Sequence, residues 1–320
     1  MSDQRRIKAP SLADSLATEA SKGATSKNQF NARISRYGKA KNIASANAHY
    51  IRLNEPNHSD LAHAISDCGS YLVFKNYFTI GDIRLSKAKF CKKHLLCPLC
   101  AIRRGAKVLG RYLDRYNTIV AEKPSLKPYM VTLTVKDGAD LQERFKHLQK
   151  SVQQYHKRRH RKKGACEARK AEAAAWSYEI KRGKVSFLWH PHVHCVWLCE
   201  TPPDQDAISQ EWHSITGDSF IVDVRPITPD DPAKGFMEVF KYAVKFSEQE
   251  PEDTWNSYVN LAGKRLIGSF GKFYGIPEPD ELLDDPLEGL PFFEMFYLHS
   301  RATGYFLVDT TKTPEADIVQ

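Results

Sequence analysis

The segment "WHPHVHCVWL", residues 189–198, constrains the fold most, because it alternates histidines with other residues and then turns wholly apolar. His190, His192 and His194 occupy every second position. Side chains of a strand point alternately to the two faces of its sheet, so the three imidazoles share one face. The pattern predicts a strand that offers nitrogen ligands to a metal ion. Polar residues on a solvated face would give the same alternation.

Composition predicts a globular protein that binds a polyanion. The 320 residues are 42% hydrophobic, which suffices for a sizeable core. The formal net charge is +9, and residues 1–50 carry nine Lys or Arg against three Asp or Glu, whereas residues 248–320 carry fourteen acidic and five basic residues. We therefore expect nucleic acid as the partner of the basic part. Residues 1–60 are interpreted as a basic, partly flexible arm, either a dispensable tail or a DNA-contacting segment.

The sequence predicts a cytoplasmic protein without membrane contact. Its apolar runs are shorter than the roughly 18–20 residues that cross a bilayer. The first 23 residues also lack the apolar region of a signal peptide.

Four of the seven cysteines predict a structural zinc site in a module over residues 61–120. An odd number of cysteines in a chain without a secretion signal argues against a disulfide framework. Cys68, Cys91, Cys97 and Cys100 fall within 33 residues, and the last two have C-x2-C spacing. Thiolates in this number are typical of tetrahedral zinc. His94 is an alternative to Cys68, and ordinary buried cysteines are the alternative to a metal site.

Period-2 and helical patterns predict an α+β fold with an antiparallel sheet. We expect strands at 129–135, 175–180 and 219–227, with the histidine strand between the last two, and helices at 141–172, 204–214 and 234–249.

The predicted helix 234–249 places three reactive side chains on one face. Glu238, Tyr242 and Lys245 are spaced i, i+4 and i+7, which at about 100° per residue keeps them within one arc. A polar, solvent-facing side of an amphipathic helix would give the same pattern.

Glu179 precedes His192 by thirteen residues, so a hairpin can bring the carboxylate beside the histidines. Glu179, His192 and His194 would then form a two-histidine, one-carboxylate site. Such a site suits Mg²⁺ or Mn²⁺ and leaves coordination positions for a phosphate oxygen. We expect His190 to lie outside this ligand set, because Pro191 should interrupt the strand there.

Two basic segments are predicted to contact DNA phosphates. One is the run at 155–170, which contains a single acidic residue, Glu167, and the other is the pair of arginines that follows Cys100. The candidate residues are Lys157, Arg158, Arg159, Arg161, Lys162 and Lys163, together with Arg103 and Arg104. Solvated helix faces are the alternative for both segments.

The segments "YMVTLTV", "HPHVHCVWL" and "EVFKYAVK", in that order, resemble the three motifs of the HUH endonucleases. The upstream "CG…FCKKHLLCPLCAIRR" and the downstream "LAGKRLIGSFGKF" narrow the resemblance to rolling-circle replication initiators of small Gram-positive plasmids. The likeness covers roughly residues 68–273. His190 stands where the family pattern has Asn, and the cysteine spacing is slightly irregular.

The resemblance implies an HUH-type antiparallel sheet with helices on one face, in an endonuclease domain at 121–275. The acidic C-terminal extension that we expect at 276–320 lies outside the likeness. It implies a nick at the plasmid's double-strand origin, with Tyr242 joined to the 5′ phosphate and a 3′-OH left as primer. Glu238 would activate water at termination, and Lys245 would favour the tyrosine phenolate. A host helicase and a host polymerase, which would extend the primer, are the expected protein partners, and no nucleotide cofactor is required. An HUH transposase, or a zinc-containing DNA-binding regulator without activity, are the competing interpretations.

Overall fold

The computed structural model describes residues 16–20, 24–161, 164, 166–228, 230–241, 245 and 249–312. Its helices are α1 (Leu16–Ala20), α2 (Lys27–Asn54), α3 (Ser59–Asp67), α4 (Pro98–Glu122), α5 (Leu141–Arg158), α6 (Gln205–Thr216), α7 (Pro232–Phe240) and α8 (Pro251–Leu261). Its strands are β1 (Tyr71–Tyr77), β2 (Asp82–Ala88), β3 (Lys127–Thr134), β4 (Ala171–Arg182), β5 (Trp189–Cys199), β6 (Val222–Pro226), β7 (Ile267–Gly271), β8 (Phe293–Ser300) and β9 (Gly304–Lys312). None of these helices is long and apolar enough to cross a membrane.

The larger sheet contains the predicted histidine strand at its centre. Its order is β6-β3-β5-β4-β7, and every neighbouring pair is antiparallel. The α+β class with an antiparallel sheet is therefore confirmed. The strands expected at 129–135, 175–180 and 219–227 correspond to β3, β4 and β6.

Helices cover both faces of this sheet. Tyr178 of β4 packs its ring against Phe145 of α5, with ring centroids 5.5 Å apart. Its neighbour Ser177 donates its hydroxyl to the backbone oxygen of Val239 in α7. Because neighbouring strand residues point to opposite faces, α5 and α7 lie on opposite sides. The expectation of helices on one face is therefore wrong for this structure.

A second sheet joins the cysteine-rich region to the C-terminal part of the chain. Its order is β2-β1-β8-β9, again antiparallel. Helix α2 packs on it through Phe30, whose ring lies 5.0 Å from that of Phe74 and 6.0 Å from that of Tyr297. From the sequence we expect an arm before residue 60 and an extension after residue 275. Both segments contribute elements at the second sheet, namely α2 from the first and β8 and β9 from the second. The division into domains stays a prediction.

Two predicted helices differ in length from those observed. Helix α5 ends at Arg158 instead of residue 172. A helix over the whole predicted range is excluded, because Gly164 has a φ of 88°, a value that a helix does not allow, and β4 already begins at Ala171. Helix α7 ends at Phe240. Beyond it, the amide of Lys245 donates to the backbone oxygen of Lys241 over 3.1 Å, the spacing of one helical turn. Residues 242–244 and 246–248 lie outside the described part of the chain.

Arg103 of α4 is the centre of a buried ionic network. Its side chain is 1% exposed, and it pairs with Glu19 of α1 at 3.3 Å and with Asp284. It also donates to the Tyr37 hydroxyl over 3.2 Å and to the Leu282 backbone oxygen over 2.8 Å. The prediction that Arg103 contacts DNA phosphates is therefore wrong, because its guanidinium is enclosed by partners within the protein.

Replacing Arg103 by Met should destabilise the protein without weakening DNA binding. Removing one member of a buried ionic network leaves Glu19 and Asp284 without this cation, at a cost of about 3–5 kcal/mol. Urea unfolding measures this cost. The control is Lys107→Met on the same helix, whose pair with the exposed Asp285 should contribute less than about 1 kcal/mol. An Arg103→Met protein with wild-type stability and weakened DNA binding would restore the phosphate-contact interpretation.

Candidate functional site

The register of β4 on β5 places a buried carboxylate beside two histidines. Glu179 is directly opposite His192, and Ser177 is opposite His194. On the other side of β5, Thr132 of β3 is opposite His194. Since partners in an antiparallel pair point to the same face, all these side chains share one side of the sheet. The structure thus forms the hairpin that the spacing between Glu179 and His192 suggested.

The donor atoms of the three side chains converge. His192 Nε2 lies 3.5 Å from Glu179 Oε1, and His194 Nε2 lies 3.4 Å from Glu179 Oε2. One ligand atom from each residue lies within 4.8 Å of the others. Thr132 Oγ1 lies 3.1 Å from His194 Nδ1 and so orients the ring with Nε2 toward the carboxylate. These residues fit a divalent cation.

Lys245 reaches the same carboxylate. Its Nζ lies 2.7 Å and 2.5 Å from the two oxygens of Glu179, and Lys181 Nζ lies 3.3 Å from one of them. Burial alone would raise the pKa of Glu179. Hydrogen bonds to His192 and His194, with the charge of Lys245, instead hold that pKa far below its usual range. The carboxylate is therefore ionised at neutral pH and available as a ligand.

Burial also prepares His194 for metal binding. The loss of hydration lowers the pKa of its imidazole below the ordinary value, and the opposing effect of Glu179 is smaller. The ring is therefore neutral at pH 7, the protonation state that a metal ligand requires.

His190 does not join this group, although not for the expected reason. Strand β5 runs without interruption through Pro191, which lies opposite Ile180. The expectation that Pro191 interrupts the strand is wrong. His190 is instead engaged by Asp137, whose carboxylate oxygen lies 2.6 Å from its Nδ1.

The predicted catalytic helix is only partly described. Glu238 pairs with Lys241, which follows it by three residues, and the Glu238 side chain is 38% exposed. Phe236, Val239 and Phe240 are buried, as expected for the apolar side of this helix. Tyr242 lies outside the described residues, so its predicted role, and those of Glu238 and Lys245 toward it, stay predictions.

The four candidate cysteines lie together. Cys68 follows α3, Cys91 follows β2, and Cys97 and Cys100 lie at the start of α4. The Sγ atoms are 3.5 Å apart for Cys68 and Cys100, 3.6 Å for Cys91 and Cys100, and 3.5 Å for Cys97 and Cys68. Zinc–sulfur bonds of about 2.3 Å would set the edges of a tetrahedron at about 3.8 Å, so these positions fit a zinc ion.

His94 does not belong to the cluster that the described residues form. Burial lowers the pKa of His94 to about 4, with a smaller contribution from Arg104, so it is a neutral side chain. The choice of Cys68 over His94 as the fourth ligand therefore agrees with the arrangement of the side chains.

The elements around the cysteines come from distant parts of the chain. Lys41 of α2 is 4% exposed and donates its ammonium to the backbone oxygen of Ser66. Asn47 of the same helix donates to the Leu96 backbone oxygen over 2.9 Å, and Tyr305 of β9 donates to the Gly69 backbone oxygen over 2.6 Å. Sequence reasoning missed these contacts. In the sequence Lys41 could not be distinguished from the other cations of the basic segment at 1–50.

Cys97→Ser should remove bound metal and destabilise the protein. A structural zinc ion contributes folding free energy, and a hydroxyl is a poor replacement for a thiolate ligand. Elemental analysis of purified wild-type protein should find one zinc per chain, and the variant should hold much less. Cys166→Ser, at a cysteine outside the cluster, should keep the metal. Wild-type protein without zinc, or a Cys97→Ser protein that keeps it, would contradict the assignment.

The basic segment after α5 is partly engaged in contacts within the protein. Arg158 donates to Ser214 Oγ over 2.7 Å, and the Arg159 guanidinium lies 3.6 Å from the centre of the Phe270 ring. Lys157 and Arg161 are exposed. Lys162 and Lys163 lie outside the described residues. Arg104 pairs with the exposed Glu278.

Comparison with known proteins gives consistent matches. A family model described as "Replication protein" matches residues 82–289, more than half of the chain. "Protein rep" of Streptococcus pneumoniae serotype 2 is 26% identical over 231 residues, covering 67% of this chain and 70% of that protein. "Protein rep" of Bacillus amyloliquefaciens is 25% identical over 312 residues, covering 80% and 87%. A third, from Bacillus sp, is 25% identical over 263 residues, covering 69% and 80%. No solved structure matches significantly.

Proposed function

The chain belongs to the replication proteins that initiate rolling-circle replication of plasmids, and from this premise we propose that it nicks one strand of its origin DNA. The observation that carries the proposal is the convergence of Glu179, His192 and His194 on one face of the central strands, with the ammonium of Lys245 beside them. We further propose that the larger sheet is of the HUH type. An initiator of replication recognises origin DNA, which is therefore its partner.

In the proposed reaction the Tyr242 oxygen attacks the scissile phosphorus. The bond between that phosphorus and the 3′ oxygen breaks, so the 5′ phosphate becomes joined to the tyrosine and a 3′-OH is released as primer. A Mn²⁺ or Mg²⁺ ion held by Glu179, His192 and His194 would polarise the phosphate. One phosphodiester replaces another, so the step is nearly isoenergetic and can run backwards as strand joining. No nucleotide cofactor is needed.

The side chains around the site explain how a weak nucleophile could react. A tyrosine hydroxyl has a pKa of about 10, so its phenolate needs a nearby cation. Lys245 supplies positive charge at the carboxylate of Glu179 and lies three positions after Tyr242. Thr132 keeps the His194 ring in its orientation.

Several roles extend the proposal beyond the site itself. Zinc at the four cysteines would have a structural role. DNA phosphates would be bound by cations of the two basic segments, namely Arg104, Lys157, Arg158, Arg159, Arg161, Lys162 and Lys163. A host helicase would unwind the duplex, and a host polymerase would extend the 3′-OH primer.

The test is nicking of a supercoiled plasmid that carries the cognate origin. Wild-type protein with Mn²⁺ should produce open circles that carry protein on the 5′ end. Tyr242→Phe should bind the plasmid but leave it supercoiled, because the nucleophile is missing. Tyr274→Phe, at a tyrosine that is 70% exposed, is the matched control and should nick normally. Nicking by Tyr242→Phe would rule out this nucleophile, and wild-type binding without nicking would favour a regulator.

Glu238→Ala should separate initiation from termination. After one round of replication Tyr242 still holds the first 5′ end, so a second cleavage needs water activated by a general base. Glu238 precedes Tyr242 by four residues and is partly exposed. The variant should nick at nearly the wild-type rate yet accumulate multimeric strands, visible on alkaline gels. Release of unit-length circles at the normal rate would show that Glu238 only pairs with Lys241.

A further inference from the structure

The turn between β4 and β5 exposes apolar side chains beside the candidate metal centre. We call residues 183–188 the β4–β5 tip. Val185 is 91% exposed and Phe187 is 64% exposed. The two strands that the tip joins carry Glu179 and His192. At a rise of about 3.3 Å per residue, the tip begins about 13 Å from Glu179.

The backbone of the tip is held in an unfavourable conformation at its aromatic residue. Phe187 has a φ of 55°, a region that bulky side chains avoid. Its amide donates to the Gly183 backbone oxygen over 2.9 Å, and its own backbone oxygen accepts from Arg182 Nε over 3.1 Å. The exposed ring gains little from packing in return, which points to a role outside the folding of this chain.

The surroundings of the tip favour a polyanion. Lys181 and Lys184 are exposed on the strand end and the tip. The Arg182 guanidinium lies 6.0 Å from the centre of the Phe187 ring, although it also pairs with Asp253 at 2.9 Å. An exposed aromatic ring next to cations is the combination that binds unpaired bases and their phosphates.

We propose that the β4–β5 tip binds single-stranded DNA next to the scissile phosphate, with Phe187 stacked on a base and Lys184 on a neighbouring phosphate. The position of the tip relative to the cleavage site rests on the proposed nicking function. Stacking needs a base that has left the duplex, which is the state of DNA that a tyrosine can attack. Because every base has an aromatic face, this contact tolerates different sequences.

The test uses a fluorescein-labelled 15-nucleotide thymidine strand, whose binding is followed by fluorescence anisotropy at fixed salt. Phe187→Ala should bind it about tenfold more weakly, within the range for the loss of one stacked base. Phe187→Trp should retain binding. Phe187→Asn keeps a residue that tolerates positive φ but removes the ring, so it should weaken binding like Ala even if Ala disturbs the turn. Phe78→Ala, at an exposed phenylalanine after β1, is the matched control and should bind normally.

Several results would overturn the proposal. The first two are wild-type affinity of Phe187→Ala and Phe187→Asn for the strand, and losses of affinity in these variants that are equally large on a 15-base-pair duplex. The others are a change in the oligomeric mass of these variants, and failure of wild-type protein to bind the strand. The nicking function is judged separately by Tyr242→Phe. Phe187-dependent binding by a protein that does not nick would leave the tip as a DNA site and remove only its link to cleavage.

Discussion

The pairing of β4 with β5 in one register is the constraint on which the candidate metal centre depends. Side chains alternate between faces, so a slip by one residue would turn Glu179 away from His192 and His194. The register is fixed by more than this hairpin. Strand β3 holds the other edge of β5, and the Ser177 hydroxyl ties β4 to the end of α7 through the Val239 backbone oxygen. The site is therefore built from rigid elements.

Charge balance explains why a fully buried carboxylate is tolerated at this position. Glu179 has lost its hydration, and Lys245, His192 and His194 replace it with direct contacts. A divalent cation at the same oxygens would compete with Lys245. In the structure Lys245 compensates the charge of this carboxylate.

Much of the site could be predicted because its signals are local. The alternation of histidines places their side chains on one face of a strand, and the C-x2-C spacing brings two thiols close together. The separation of Glu179 and His192 in the sequence permits a hairpin. Arg103 could not be interpreted correctly, because its partner Asp284 is 181 residues away in the sequence. The burial of Lys41, the pairing of β8 with β1 and the continuity of β5 through Pro191 likewise depend on tertiary contacts. Local patterns cannot reveal such contacts.

Helix α4 connects the cysteine cluster with helix α7. It begins at the cluster, carries Arg103 one turn later, and then passes α7 at Gly105. A Cβ at Gly105 would lie 3.1 Å from the backbone oxygen of Phe240 and 3.3 Å from the Leu16 side chain, so a larger residue would require these neighbours to shift by a few tenths of an ångström. Phe240 is the last residue of α7 and is two positions before Tyr242. One helix, α4, therefore begins at the cysteine cluster and packs closely against the end of α7.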